Sequence, residues 1–582
     1  MHNLHSITFS AAPGRSSRAR AWRQCIALGM ACGAACAGAA ELLVDHVTGY
    51  TLDRHGELRR FQAMLVADGR VVATGSRAAM ARRAAADAER IDAGGRPLLP
   101  GLIDAHGHVM GLGEMKRRVD LTASATLDDA LAEVRSFAAR HAGEAWVVGR
   151  GWNQVVWKLD RFPDAAELDR AVPDRPAWLH RVDGHAAWAN TAAMRVAGIT
   201  RDTPDPPGGR IERDAHGDPS GVFIDAAMAL VERHVPPPTP AERERMLDAA
   251  QAELARVGLT GVHDAGIDAA TAALYRRYAD EGRLTTRIHA MIGDTGADFD
   301  ALSKDGPLHG HGDGFLDIDA VKLYADGALG SRGAALLAPY ADEPANSGLL
   351  FHSGDALAAM IGKATARGYQ VGVHAIGDRA NREVLDAFEA VYAQQPAARA
   401  LRNRIEHAQV LVPADIPRVR ALGLVASMQP MHATSDMNMA GDRLGDARLR
   451  GAYAWRTFLG QGTRIAAGSD FPVESADPFH GLHAAVTRQD HAGRPPRGWH
   501  AGQAMTRQEA LRAFTLDAAW AGHAEDAVGT LEPGRRADFI LVDRDYFRVP
   551  ARDIWKTRVL QTWVGGRRVY DAGAQDAAQP TR

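Results

Sequence analysis

The chain has 582 residues, of which 46% are hydrophobic and 24% are charged, and its formal net charge is −3. These proportions are typical of a soluble globular protein with a large core. A net charge so near zero gives no electrostatic basis for binding nucleic acid or an anionic membrane, which favours a small molecule as the partner.

Residues 1–39 have the layout of a signal peptide. Four arginines come first, Arg15, Arg18, Arg20 and Arg23. An apolar stretch over residues 25–37 follows, which is too short to span a bilayer, and then a run of small residues. We expect cleavage before Ala40 or Glu41 and export to the periplasm; a disordered basic extension is the alternative. All three cysteines lie in this segment, so the mature chain should contain neither a disulfide nor a thiol nucleophile.

Short strands near both ends of the remaining chain predict one small β domain. Apolar runs bounded by turn residues occur at 62–67, 70–74, 537–542 and 559–564. The first two are separated by the turn Asp68-Gly69. We expect a β-sandwich built from residues 40–95 and 515–575.

Between these ends, strand-like runs alternate with helix-length segments, which predicts an α/β fold. Eight runs suit a parallel sheet: 102–106, 259–264, 286–292, 320–324, 371–375, 404–408, 424–428 and 464–469. Eight is the number that a closed (β/α)8 TIM barrel requires, so residues 96–514 are expected to form one. Two more apolar runs, 145–148 and 177–179, lie in the interval 110–240, which we interpret as a subdomain inserted after the first barrel strand.

The first barrel strand ends in His106 and His108. Residues two apart on a strand point to the same side, so both imidazoles can bind one metal ion. The pattern alone is moderate evidence, because 24 histidines in the chain will form some His-X-His pairs by chance.

Later strand ends supply further ligand types, namely Lys322, His374, His407 and Asp470. Active sites of barrels form where the strands end, so these side chains should converge. A single strand-end histidine is more often structural, but the joint pattern favours a metal site. A protonated Lys322 among apolar neighbours would be costly; a neutral amine, or a carbamate formed with CO2, would remove that cost. Glu406 should point away from His407 and support the site or the barrel packing.

These residues lie in the segments LLPGLIDAHGH, KLYADGALGSR, VHAIGD, IEHAQ and GSDFPVESADPFHGLHAAVTR. With them the chain resembles the amidohydrolase superfamily, specifically its YtcJ-like branch (amidohydrolase family 3), which includes N-substituted formamide deformylase. The resemblance covers nearly all of the mature chain, and no ligand position is missing. It implies a metal-dependent (β/α)8 barrel with a small β-sandwich.

The resemblance also implies a ligand set. His106, His108 and Asp470 would hold one divalent ion, and His374 and His407 a second, with carboxylated Lys322 between the two ions. Imidazole and carboxylate ligands suit Zn2+, with Mn2+, Fe2+ or Co2+ as alternatives. A mononuclear site that uses the two N-terminal histidines, one later histidine and Asp470 is the other arrangement.

The implied reaction is attack of a metal-activated hydroxide on a carbonyl carbon, with Asp470 as general base and then acid. The expected substrate is a linear or cyclic amide of the N-acyl or N-formyl amine type, cleaved at its C–N bond. Hydrolysis of an ester, lactone or carbamate is the alternative, and a catalytically silent binding protein is a further one that the complete ligand set disfavours. Dimers are common among such enzymes, so a homodimer is compatible with the sequence.

Signals for substrate contact are weaker. Candidates near the expected pocket are His185, Asp326, Arg332 and His432, with Asn190 and Asp436 as further ones. Trp152 and Trp157 could provide an apolar wall. For each of these a structural role is at least as plausible, His432 excepted, because it lies just past a strand end.

Overall fold

A computed structural model describes most of the chain: residues 41–154, 156–181, 186–206, 209–330 and 332–574. The predicted signal peptide and His185 lie outside these residues. Within them, no helix combines the length and the apolar character needed to cross a membrane.

Seven short strands and the helix α1 (Arg77–Arg83) precede the barrel. The strands are β1 (Leu42–Asp45), β2 (Thr48–Leu52), β3 (Leu58–Phe61), β4 (Ala63–Ala67), β5 (Arg70–Gly75), β6 (Glu89–Asp92) and β7 (Pro97–Pro100). β4 and β5 form an antiparallel hairpin. Its turn residues Asp68 and Gly69 both have positive φ, at 52° and 69°, which is the conformation that two-residue hairpin turns need and that Asp-Gly supplies.

The first barrel strand, β8 (Leu102–Gly107), and the helix α2 (Val109–Lys116) lead into an inserted six-stranded sheet of order β13-β14-β12-β11-β10-β9. Its strands are β9 (Val119–Asp120), β10 (Val147–Trp152), β11 (Ala177–Arg181), β12 (Ala186–Ala189), β13 (Gly209–Arg213) and β14 (Pro219–Asp225). Its helices are α3 (Leu127–Arg140), α4 (Ala165–Asp169), α5 (Thr191–Ala197) and α6 (Ala229–Glu232). The apolar runs at 145–148 and 177–179 therefore contribute to β10 and β11, outside the barrel.

Seven further parallel strands complete the barrel in the order β8-β15-β16-β18-β19-β20-β21-β22. They are β15 (Leu259–Ile267), β16 (Arg287–Gly293), β18 (Leu316–Tyr324), β19 (Gln370–Ala375), β20 (Arg404–His407), β21 (Val425–Met428) and β22 (Ile465–Ala467). The extra strand β17 (Leu308–Gly310) pairs antiparallel with β18. Next to β8, the segment that follows β22 closes the barrel through a parallel bridge between Gly107 and Phe471. All eight predicted barrel strands are present, and the predicted fold class is confirmed.

Helices pack around these strands and bury an aliphatic core that includes Leu254, Leu259, Val262 and Ile288. They are α7 (Pro240–Arg256), α8 (Ala269–Asp280), α9 (Ala297–Leu302), α10 (His311–Gly314), α11 (Gly354–Ala366), α12 (Asp378–Gln394), α13 (Ile416–Ala421), α14 (Pro430–Asp436), α15 (Ala440–Leu444), α16 (Trp455–Gly460), α17 (Pro478–Thr487), α18 (Arg507–Ala513) and α19 (Leu516–Ala521).

The last strands return to the N-terminal β region. β23 (Phe539–Val542), β24 (Val559–Val564) and β25 (Arg567–Asp571) form a sheet of order β25-β24-β23-β7-β2-β3. It packs on the four-stranded sheet β5-β4-β1-β6 through buried side chains such as Met64, Leu98 and Trp563. β7 belongs to this sandwich although the predicted boundary put residues from 96 onward in the barrel. The sequence shows β7 and β8 as one apolar run, because only Gly101 separates them.

Candidate metal centre

The structure brings the six predicted metal ligands together at the carboxyl ends of the barrel strands. They line one cavity of about 330 Å³: His106, His108, Lys322, His374, His407 and Asp470. His106 ends the inner face of β8, and Lys322 lies near the end of β18; both are buried. A cavity of this volume suits a small molecule.

Asp470 lies beside both histidines of the His-X-His pair. Its Oδ1 is 3.0 Å from His108 Nε2 and 3.6 Å from His106 Nε2. Ligand atoms of His106, His407 and Asp470 all lie within 4.8 Å of one another. The buried Asp470 Oδ1 has no partner in hydrogen-bond geometry among the described residues. A buried carboxylate oxygen without a partner is costly, and a divalent cation would satisfy it, so these residues fit a metal ion.

The other two histidines complete the group. The ring centroids of His374 and His407 are 4.5 Å apart, and those of His106 and His407 are 4.9 Å apart. His407 and Asp470 both have left-handed backbone conformations, with φ of 73° and 61°. Such conformations cost about 1–3 kcal/mol each in non-glycine residues and concentrate at functional sites.

Two side chains set the orientation of the histidine rings. Glu406 Oε2 accepts a hydrogen bond of 2.6 Å from His106 Nδ1, and Gln429 Oε1 accepts one of 2.7 Å from His407 Nδ1. Since each Nδ1 carries the proton, each Nε2 offers a lone pair to the cavity, which is the usual arrangement of metal-bound imidazoles. The supporting role predicted for Glu406 agrees with this geometry. Gln429 was missed, because nothing in the sequence places it beside His407.

Asp104 ties the first and last strands together beneath the site. It accepts hydrogen bonds from His106 N at 3.0 Å and from Ser469 N and Oγ at 3.0 and 2.6 Å, and burial raises its pKa to about 7. A Cβ on Gly468 would lie 2.5 Å from both Asp104 Oδ1 and His106 N. Only glycine fits there. The backbone at Gly468 can therefore pack closely against Asp104 and His106, and this close packing positions Asp470 two residues later.

Burial dominates the electrostatics of the site. It lowers the pKa of Lys322 to about 8. Burial and the charge of Lys322 lower the pKa of His106 to about 4. Burial raises the pKa of Asp470, but contact with His108 and the nearby histidine charges outweigh it and bring the value to about 2. At neutral pH His106 is therefore neutral and Asp470 is ionised, which are the protonation states that metal ligands need.

Of the four predicted substrate contacts, His432 lines the cavity. Its ring stacks on that of His407 with centroids 5.7 Å apart, and its Nε2 is 3.8 Å from Asp470 Oδ2. This nitrogen is buried without a hydrogen-bond partner among the described residues. His432 is thus available to a bound substrate.

Asp326 and Arg332 make contacts within the loops that follow the barrel strands. Asp326 is fully buried, and its carboxylate accepts hydrogen bonds from three backbone amides at 2.8–3.0 Å: Ala335, Ile376 and Gly377. Arg332 pairs with Asp342 at 2.9 Å and Glu343 at 3.2 Å. Neither side chain lines the cavity described above, although Asp326 Oδ1 also lies 3.4 Å from His374 Nε2. The substrate role expected for both stays a prediction.

The two tryptophans suggested as an apolar wall do not line this cavity. Trp152 and Trp157 are buried in the core of the inserted subdomain, and Asn190 caps α5. The apolar lining comes instead from Tyr324, Leu329, Ile376 and Val473. Asp436 does line the cavity, where its Oδ2 accepts hydrogen bonds of 2.6 Å from Tyr453 and 2.8 Å from Gln409.

An eight-stranded parallel barrel with a cluster of histidines, a lysine and an aspartate at its carboxyl end defines the class of metal-dependent barrel hydrolases. The chain belongs to the amidohydrolase family, whose pattern matches residues 89–570. It is 32% identical over 530 residues to the putative amidohydrolase YtcJ of Bacillus subtilis, covering 90% of this chain and 98% of that protein. It is 30% identical to N-substituted formamide deformylase of Arthrobacter pascens, covering 88% and 95% of the two chains.

A solved structure shares the fold. An uncharacterised metal-dependent hydrolase from Pyrococcus furiosus superimposes with a TM-score of 0.73 at 28% identity, covering 88% of this chain and 100% of that one. The protein is accordingly a hydrolase of the amidohydrolase family with residues that can hold a metal ion.

Proposed function

We propose that this protein hydrolyses the C–N bond of a linear or cyclic amide of the N-acyl or N-formyl amine type. The observation that carries the proposal is the position of Asp470 Oδ1, which is buried between His106 and His108 without a hydrogen-bond partner among the described residues. A carboxylate so placed can serve a metal ion and also move a proton. The relative named N-substituted formamide deformylase supports the choice of a C–N bond.

The proposed cofactor is a pair of Zn2+ ions. His106, His108 and Asp470 would hold one and His374 and His407 the other, with carboxylated Lys322 between them. Carboxylation needs a neutral amine, which the lowered pKa of Lys322 favours: its nitrogen forms a bond to the carbon of CO2, and one amine proton passes to water. When bound, zinc lowers the pKa of water to about 7 and polarises a carbonyl.

The chain's own residues would handle the proton and the substrate. Asp470, ionised at neutral pH, takes the proton from the attacking water and delivers it to the leaving nitrogen. His432 can donate a hydrogen bond from its free Nε2 to the substrate carbonyl. The apolar wall formed by Tyr324, Leu329 and Val473 accommodates the substituent on the nitrogen.

A substrate panel tests this proposal. The full-length, zinc-loaded protein is assayed on N-formyl amines, N-acyl amines, cyclic amides, esters and lactones, together with Asp470→Asn and with Asp355→Asn, an exposed carboxylate at the start of α11. We expect amide hydrolysis that falls by at least about 100-fold in Asp470→Asn and persists in Asp355→Asn. Activity confined to esters, lactones or carbamates would contradict the proposal. A protein that binds no metal and hydrolyses no compound of the panel in the presence of added Zn2+ would favour a binding protein.

The carbamate has a separate test. Protein equilibrated with 13C-bicarbonate should show a carbamate carbon resonance in the wild type that Lys322→Met lacks. Equal spectra from the two proteins would contradict carboxylation of Lys322, and a content of one metal ion per chain in the same sample would then favour the mononuclear arrangement.

A further inference from the structure

A second cluster of metal-type ligands lies at the opposite, amino-terminal end of the barrel. His309 on β17 and Asp317 and Asp319 on β18 are neighbours because the two strands pair antiparallel at Leu308 and Ile318. Their ligand atoms lie within 4.8 Å of one another. His309 Nδ1 is 3.0 Å from Asp319 Oδ2. Lys322 of the candidate metal centre lies at the other end of β18.

An irregularity in the sheet places Asp319 here. β16 pairs Ala290 with Ile318 and Met291 with Ala320, so Asp319 is an extra residue in the ladder. Such a bulge redirects a side chain and is common beside functional sites. Asp319 turns into a cavity of about 380 Å³ at this end of the barrel, and the next residue, Ala320, packs with Met291 and Ala265 in a small buried cluster.

The side chain of His289 gives independent evidence for a ligand in this cavity. The side chain is 6% exposed and lines the cavity, yet neither ring nitrogen has a hydrogen-bond partner among the described residues. Its Nδ1 is 3.1 Å from Asp319 Oδ1, but not in hydrogen-bond geometry. Two ligands of one Zn2+, each about 2.0–2.1 Å from it at the tetrahedral angle, are separated by roughly 3.3 Å. A distance of 3.1 Å is compatible with two ligands of one ion, although His289 is not among the three residues whose ligand atoms all lie within 4.8 Å of one another.

We infer that His309, Asp317 and Asp319 form a second divalent-metal site, with His289 facing it from inside the barrel. One imidazole and two carboxylates suit Zn2+ or a neighbouring first-row ion. Along the strands, a buried apolar cluster lies between this site and Lys322. It consists of Ala265, Met291 and Ala320, and it separates the two sites. A bound ion would clamp β17 to the barrel. The inference does not depend on the proposed amide hydrolysis.

Metal content of the full-length protein tests the site. Wild type, His309→Asn and the double variant His309→Asn/Asp319→Asn are stripped with chelator, dialysed against the same Zn2+ buffer and analysed by inductively coupled plasma mass spectrometry. We expect each variant to hold one equivalent of zinc per chain less than wild type, with the activity of the candidate metal centre unchanged. The control is His311→Asn, whose histidine pairs with Asp280 and which should keep the wild-type content.

A spectroscopic experiment covers the case in which the double variant does not fold. His309→Cys retains a ligand at this exposed position (side chain 64% exposed) and should, with Co2+, give a thiolate-to-cobalt charge-transfer band beyond that of cobalt-loaded wild type. Zinc content equal to wild type in His309→Asn, or no added band in His309→Cys, would overturn the inference.

Discussion

His106 donates a hydrogen bond of 2.6 Å from Nδ1 to Glu406 Oε2, and both side chains are completely shielded from solvent. Arg404, equally buried, contacts the other carboxylate oxygen, with Nε 2.8 Å from Oε1. The charge of Arg404 and the contacts with His106 outweigh the effect of burial and hold the pKa of Glu406 well below its usual range. An ionised Glu406 therefore links the sixth barrel strand to the first and fixes which nitrogen of His106 faces the cavity.

Replacing Glu406 by Gln should weaken metal binding. The variant removes the negative charge that orients His106, and loss of such a partner typically lowers metal affinity by about 10–100-fold. Zinc affinity is measured by competition with a chromophoric chelator. The matched control is Glu389→Gln, an exposed residue on α12 that pairs with Arg418. Equal affinities of Glu406→Gln and wild type would show that the hydrogen bond does not support the metal site.

Replacing Lys322 by Met should stabilise the metal-free protein in a pH-dependent way. The folded lysine has a pKa of about 8 against 10.5 for an ordinary lysine. Below pH 8 the amine is protonated in both the folded and the unfolded chain, and burying its charge destabilises the folded state. At about 1.4 kcal/mol per unit by which the pKa is lowered, this costs roughly 3 kcal/mol of stability. Above pH 8 the folded lysine is neutral. As the pH rises from 8 to 10.5, the lysine of the unfolded chain loses its proton as well, and the destabilisation disappears.

The measurement is denaturant unfolding of wild type and Lys322→Met after chelator treatment in CO2-free buffers at pH 7 and pH 10.5. The advantage of the variant should be larger at pH 7 by roughly 3 kcal/mol. A difference that is the same at both pH values would contradict burial of a titrating amine.

His432 and Arg332 should respond differently to alanine substitution. His432 offers a free ring nitrogen in the cavity, whereas Arg332 pairs with Asp342 and Glu343. On the best substrate of the panel, His432→Ala should lower kcat/KM by at least about tenfold, or about 1.4 kcal/mol of transition-state stabilisation. Arg332→Ala should leave KM within about twofold. The reverse ranking would support the substrate role expected for Arg332.

We propose that the chain is exported and processed. Expressed in full in a Gram-negative host, the mature protein should be recovered from the periplasm with Ala40 or Glu41 as its first residue, as N-terminal sequencing would show. Leu28→Arg, which interrupts the apolar stretch, should leave the chain unprocessed in the cytoplasm. Recovery of unprocessed wild-type chain from the cytoplasm would contradict export.

Sequence patterns located the residues of the candidate metal centre because the geometry of parallel strands is regular. His374 and His407 follow apolar runs, and the carboxyl ends of all barrel strands meet at one mouth, so their convergence with His106 could be predicted without coordinates. Patterns did not reveal that the carboxylate of Asp326, which follows Lys322 closely, accepts hydrogen bonds from amides of two later loops. They also failed for Gln429, whose partner His407 is 22 residues away.

The sequence by itself determined the eight barrel strands, the inserted region and the pair His106 and His108, since local periodicity and strand alternation act over a few residues. Only the tertiary structure decided which nitrogen of each histidine is free, which polar side chains the packing occupies, and that His289, His309 and Asp319 meet at the far end of the barrel. Those properties depend on contacts between residues distant in the chain and on burial, and no local pattern encodes either one.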